Sequence, residues 1–178
     1  IYTIENGDKK LISNHVLFKN ETVINIFEKD RKIVLITENS GFYFLDDSKI
    51  EKWNIAADLV LKDESVYVCK QLKDNTFVVG TIANGVYLVT QDGSIRYHIN
   101  QENGLGNNTA LSLFEDIEGN IWVGLDNGID CININAPIVE YHDPEGRLGT
   151  IYASTVFNNN IYLGTNHGLF YKPYLSNL

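Results

Sequence analysis

The sequence predicts an all-β chain of β-propeller blades, about four of them, each an antiparallel sheet of four short strands. Two markers carry this reading. A glycine that follows a short polar turn recurs at Gly41, Gly85, Gly128 and Gly168, in steps of 44, 43 and 40 residues by subtraction. A polar residue that closes the preceding run recurs as Asp30, Asp74, Asp116 and Asn158, in steps of 44, 42 and 42. A fixed period of this size marks a repeat architecture in which each unit must stack on its neighbours to bury a core.

Within each period the runs are β-branched and aromatic, bounded by Gly, Asn and Asp, and none keeps a helical period. The first run spans Val23 to Glu28, Val66 to Leu72, Ala110 to Phe114 and Ile151 to Phe157. The second spans Ile33 to Thr37, Phe77 to Thr81, Ile121 to Leu125 and Ile161 to Thr165. The third begins at the recurrent glycine, as in Gly41-Phe42-Tyr43-Phe44 and Gly85-Val86-Tyr87-Leu88. A fourth run is expected at Ile50 to Ile55, Ile95 to Ile99 and Ile138 to Tyr141. Four short strands per period describe the propeller blade, a small twisted sheet that packs face to face on the next.

The glycine supplies the positive φ that a tight hairpin needs after Asn39-Ser40, Ala83-Asn84, Asp126-Asn127 and Asn166-His167. In Asp116-Ile117-Glu118-Gly119-Asn120 the Asp is expected to cap backbone amides, and Trp122 to pack between blades. A calcium loop is the alternative for that stretch, but it lacks the alternating ligands and closing Glu of a calcium hand. Cys69 and Cys131 have no Cys-x-x-Cys spacing and lie in apolar runs, so both are read as small core residues. Tyr43, Tyr87 and Tyr171 are taken as equivalent third-strand packing residues.

The expected organisation is a blade end at 1–12, blades at 23–55, 65–100 and 108–142, and an incomplete last blade at 150–172. Either the amino-terminal strand completes the last blade and closes a small ring, or the blades belong to a larger ring. An open ring exposes apolar faces and strand edges, so a homodimer is an expected assembly.

Composition bounds the function. The chain has 178 residues, 44% hydrophobic and 21% charged, enough to build a core. A formal charge of -9, with 14 Lys+Arg against 23 Asp+Glu and no basic cluster, argues against nucleic acid. No apolar run reaches the roughly 18 residues of a membrane span. The four histidines, His15, His98, His142 and His167, have no metal-ligand spacing, and no nucleophile elbow, P-loop or dinucleotide fingerprint is present. The carboxylate pairs Asp46-Asp47, Asp63-Glu64 and Glu115-Asp116 sit in turns, where solvated charge is the default. No catalytic residue, metal site or cofactor is therefore expected. A free-standing propeller acting on glycans as hydrolase or lyase is the competing reading, and it needs convergent carboxylates in one pocket.

The stretch Gly104-Leu105-Gly106-Asn107-Asn108-Thr109, followed by Leu111-Ser112-Leu113-Phe114-Glu115-Asp116, Gly119-Asn120-Ile121-Trp122-Val123-Gly124 and Asn127-Gly128-Ile129, resembles the two-component regulator propeller repeat. The fourth repeat shares the pattern through Gly149-Thr150-Ile151-Tyr152-Ala153 and Tyr162 to Tyr171. The first repeat departs from it, with Ile36 where Gly80, Gly124 and Gly164 stand. The resemblance implies the sensor region of a hybrid two-component system of Bacteroides type. Such a protein would carry periplasmic propellers, a membrane helix, a histidine kinase, a receiver and a DNA-binding domain, and would respond to polysaccharide breakdown products. The repeat's own residues look structural, so the resemblance carries over no binding site.

Candidate ligand residues follow from propeller geometry instead. The blade connections and the turns between second and third strands emerge on one face, which here holds Gln101 to Asn108, Asp143 to Thr150, Asn84, Asp126, Asn127, Asn166 and His167. Their amides and carboxylates suit sugar hydroxyls, and Arg147 offers a fork for a carboxylate or sulfate. The expected partner is an oligosaccharide or a protein.

Overall fold

A computed structural model describes residues 1–46, 49–136, 143, 145–173 of the chain. It divides into two compact units, Ile1–Val139 and Glu140–Leu178.

The first unit opens with a hairpin of β1 (Tyr2–Glu5) and β2 (Asp8–Leu11), a two-stranded sheet of its own. A 3-10 turn at Val16–Lys19 leads into the first four-stranded sheet, ordered β3 (Val23–Lys29), β4 (Lys32–Thr37), β5 (Gly41–Asp46) and β6 (Lys49–Lys52). One helical turn, α1 (Asp58–Leu61), lies in the connection to the second sheet. That sheet is β7 (Val66–Gln71), β8 (Phe77–Thr81), β9 (Val86–Val89) and β10 (Ile95–Ile99), in sequence order. The third contains β11 (Ala110–Glu115), β12 (Ile121–Leu125) and β13 (Ile129–Ile132). Its expected fourth strand, Ile138 to Tyr141, falls outside the described residues. The second unit holds a three-stranded sheet of β14 (Ile151–Phe157), β15 (Asn160–Thr165) and β16 (Gly168–Pro173).

Among the described residues all pairings are antiparallel between sequence neighbours, the meander that short turns enforce. The turn residues do what their types allow. Asp30-Arg31 and Asn158-Asn159 take positive φ at both positions, giving two-residue hairpins that match strand twist. In the second and third sheets the Asp instead accepts from backbone: Asp74 from the Thr76 amide at 2.9 Å, and Asp116 from the Glu118 and Asn120 amides, both at 2.9 Å. All four recurrent glycines have positive φ.

A threonine ends the second strand in three of the sheets and staples the following turn. Thr81 Oγ1 donates to Gly85 O at 3.0 Å and accepts from the Asn84 amide at 3.0 Å. Thr37 makes the same pair of bonds with Gly41 O and the Ser40 amide, and Thr165 with Gly168 O and the His167 amide. The third sheet has Leu125 there, and its turn closes through the backbone bond from Leu125 N to Gly128 O.

Two cores fill the first unit. Val34, Ile36 and Phe42 of the first sheet meet Cys69, Phe77, Val79 and Tyr87 of the second, with Phe77 edge-on to Phe27 at 5.3 Å. The opposite face of the second sheet, Val78, Val86 and Leu88, meets Ile121, Val123 and Leu125 of the third. Alternate residues of β8 thus serve two interfaces, which is why its whole length is buried.

Three expectations are corrected. Trp122 is not buried: it is 43% exposed. Strand alternation sends Ile121 and Val123 into the core and Trp122 to the other face, where its indole N–H donates to Asp116 Oδ2 at 3.0 Å. Cys131 pairs with Trp122 on that same face and is exposed, whereas Cys69 is buried; both thiols are free. Finally, Tyr171 is not the equivalent of Tyr43 and Tyr87. Those two pair with Leu35 and Val79, and the residue paired with the corresponding Leu163 is Phe170.

Candidate functional site

The connections between sheets and the turns between second and third strands are joined by hydrogen bonds, so they share one end of each sheet. The Ile82 amide donates to Ser65 O, the Gly85 amide to Asn108 O and the Asp126 amide to Thr109 O. In the second unit the Asn166 amide donates to Thr150 O in the same way.

Asn84, Asp126 and Asn127 lie in the first unit. Asn84 Nδ2 donates to Glu64 Oε1 at 2.7 Å, and the same carboxylate oxygen accepts from Tyr87 OH at 3.2 Å. Tyr87 is only 2% exposed, and burial, with the Glu64 charge behind it, pushes its phenol up to about 12. His98 lies flat on Tyr87, and its Nε2 sits 2.7 Å from Asn84 O, a bond that needs a proton on Nε2. The first sheet repeats the plan: Ser40 Oγ donates to Glu21 Oε1 at 2.6 Å, Tyr43 follows, and Lys52 Nζ lies 5.0 Å from the Tyr43 ring. Asp126 and Asn127 are exposed, the backbone of Asp126 being held by Thr109.

The loop 101–108 is built by its own side chains. Asn100 and Asn103 form a reciprocal capping box, Asn108 Oδ1 accepts from the Gln101 amide at 2.8 Å, and Asp130 Oδ2 accepts from the Gly106 amide at 2.6 Å.

Arg147, Asn166 and His167 meet in the second unit. Asn166 Oδ1 accepts from the Thr150 amide at 2.7 Å, and His167 Nδ1 lies 3.1 Å from Arg147 O. The Arg147 guanidinium pairs with Glu145, and its amide donates to Asp143 Oδ1 at 3.1 Å. Arg147 stands over a cavity of about 530 Å³ whose apolar wall is Ile151, Ile161, Leu163 and Phe170. Wall and guanidinium together could take an apolar body with an anionic group.

Among the described residues no group of His, Cys, Asp and Glu is arranged to hold a metal ion. Glu64, Glu115 and Asp116 are each committed to a local amide or hydroxyl, and Asp47 lies outside the described residues. Sequence reasoning did not single out the Glu64–Tyr87–His98 group or α1. The 44-residue step from Tyr43 to Tyr87, with an acid before each first strand, is the signal that could have found the former.

These sheets define a β-propeller type of fold. Residues 104–127 match the two component regulator propeller family. The chain is similar in structure to the extracellular domain of the putative hybrid two component system BT3049 from B. thetaiotaomicron, with TM-score 0.58 and 19% identity, covering 97% of this chain and 25% of that one. It is also similar to the corresponding domain of BT4673 from B. thetaiotaomicron, with TM-score 0.52 and 17% identity over 86% of this chain and 24% of that one. A streptogramin B lyase shares the fold at TM-score 0.50 and 19% identity, covering 85% of this chain and 54% of that one. The chain thus spans about a quarter of the length of the two-component extracellular domains it matches. No curated protein matches it in sequence.

Proposed function

We propose that this chain is part of the extracytoplasmic, periplasmic sensor of a hybrid two-component signalling protein. In this reading it is a non-enzymatic platform that responds to glycan-derived ligands, while a histidine kinase elsewhere in the parent protein carries the output. The observation that carries the proposal is the coincidence of a two component regulator propeller match at residues 104–127 with a fold shared with extracellular domains of hybrid two component systems. No helix among the described residues is long and apolar enough to cross a membrane. Glu64, Asp116 and Asp130 are tied to turn and loop amides, which favours a binding role over paired-carboxylate catalysis.

The ligand residues in this proposal lie at the connection ends of the sheets: Asn84, Asp126 and Asn127 in the first unit, and Arg147, Asn166 and His167 in the second. Calorimetry against oligosaccharides tests it: Arg147→Ala and His167→Ala should weaken binding of an acidic sugar, and unchanged affinity in both would remove the second unit from the site. The flanking coding sequence tests the rest. A membrane helix and kinase downstream are expected; a stop codon after a closing strand would favour the free-standing enzyme.

A further inference from the structure

One irregularity recurs in each of the four sheets that follow the amino-terminal hairpin. Between Val66 and Val68 the pairing of β7 with β8 shifts by one, so Tyr67 has no partner residue. The same shift leaves Ile24 unpaired on β3, Leu111 on β11 and Tyr152 on β14. Each is the second residue of a first strand, and each is large and apolar or aromatic. A bulge of this kind turns one side chain out of the strict alternation that feeds the core. The outcome differs between sheets: Tyr67 is 52% exposed and Leu111 36%, beside neighbours Val66 and Ala110 at 1% and 0%, whereas Ile24 packs against the first core and Tyr152 lies in a strand exposed throughout.

In the first unit β7 packs beside β11, and Tyr67 and Leu111 hold the same register position on these two neighbouring first strands. Ile82, 39% exposed, stands between them: its amide bonds Ser65 O, and its carbonyl accepts from Thr109 Oγ1 at 2.6 Å. Thr109 O in turn holds the amide of Asp126, next to Asn127. An exposed strip of Tyr67, Ile82 and Leu111 therefore runs along the connection end, with a carboxylate and an amide at its border.

We propose that this strip is the stacking platform for a neutral pyranose ring, Tyr67 and Leu111 taking its apolar C–H face while Asp126 and Asn127 meet its hydroxyls. An aromatic face beside a carboxylate and an amide is the chemistry that a sugar ring presents in reverse. The charge of -9 and the bordering Asp126 disfavour an anionic sugar at this place. The inference rests on the glycan reading above and assigns the ring-binding element within it.

The test is an array of neutral and uronic-acid oligosaccharides probed with the labelled chain, followed by calorimetry on the best neutral member. Tyr67→Ala and Leu111→Ala should each weaken binding on the order of tenfold. Tyr67→Phe should bind like the parent, and all three should keep the parent's urea midpoint. If the alanine variants bind as the parent does while Arg147→Ala loses affinity, the strip is not the platform and the glycan reading stands. If the alanine variants lose their folded midpoint, the bulged residues are packing elements and the inference fails. Binding to no member of the array overturns both readings.

Discussion

The rings of Tyr87 and His98 lie parallel, 4.1 Å apart and 3° from coplanar, on facing positions of the third and fourth strands of the second sheet. The Tyr87 hydroxyl points to Glu64 in the connection that precedes the sheet, and His98 Nε2 to the carbonyl of Asn84 in its turn. Three segments distant in sequence are thus held by one stacked pair.

This arrangement gives alkaline stability a specific signature. The Tyr87 phenol is raised to about 12 in the folded chain, against roughly 10 in an unfolded one. Below pH 10 its contribution is fully present. Between pH 10 and 12 the unfolded state releases the proton first, so stability falls. Urea midpoints measured at pH 9 and 11.5 should diverge less in Tyr87→Phe than in the parent; an identical pH dependence would contradict the assignment.

Asp116 titrates in the opposite sense. Its carboxylate accepts from the Trp122 indole first and from Asn120 next, which hold it at about 2. Its contribution is present above the unfolded value of roughly 3.9 and is lost as pH falls through 2. In a Trp53→Phe background, Trp122 fluorescence should shift with a midpoint near pH 2, and Asp116→Asn should abolish that transition.

Core and surface aromatics should separate cleanly in denaturation. Phe77→Ala removes a fully buried ring with three aromatic neighbours and should cost about 3 to 5 kcal/mol. Trp122→Ala removes a ring that is 43% exposed, and about 1 to 2 kcal/mol is expected. Equal losses from guanidinium titrations would place Trp122 in the core after all.

Two glycines with the same backbone role should differ in what they tolerate. Gly128 has φ +102 and open space around it, so Gly128→Ala should cost only the strain of positive φ, about 1 to 2 kcal/mol. At Gly85, φ +73, a Cβ would lie 2.2 Å from Ile99 O, a backbone atom of the neighbouring strand. Gly85→Ala should be clearly the worse of the two by thermal midpoint.

The repeat was legible because turns and strands obey local chemistry. Asp30, Asp74, Asp116 and Asn158 mark the first hairpins, and the structure finds Ile151–Phe157, Phe77–Thr81 and Ile95–Ile99 at the expected bounds. The side on which a residue faces was less legible. Val66-Tyr67-Val68 is apolar throughout, so nothing in the run says that its middle residue is extra. Ile121-Trp122-Val123 likewise does not declare which face meets the second sheet. Turn polarity serves two ends at once: Asn84 and Asn166 are candidate ligand groups, and each also bonds its own scaffold, one Glu64 and the other Thr150.

The unequal fates of the two cysteines hand the experimenter a chemical tool. Burial raises the Cys69 thiol far above the range in which it ionises, so it is inert toward electrophiles. Cys131 is exposed, across the strand pair from Trp122. A maleimide dye or spin label added to the unmodified chain would settle on a single, known atom. Its emission or line width would then report whatever approaches that face, with no engineered substitution required.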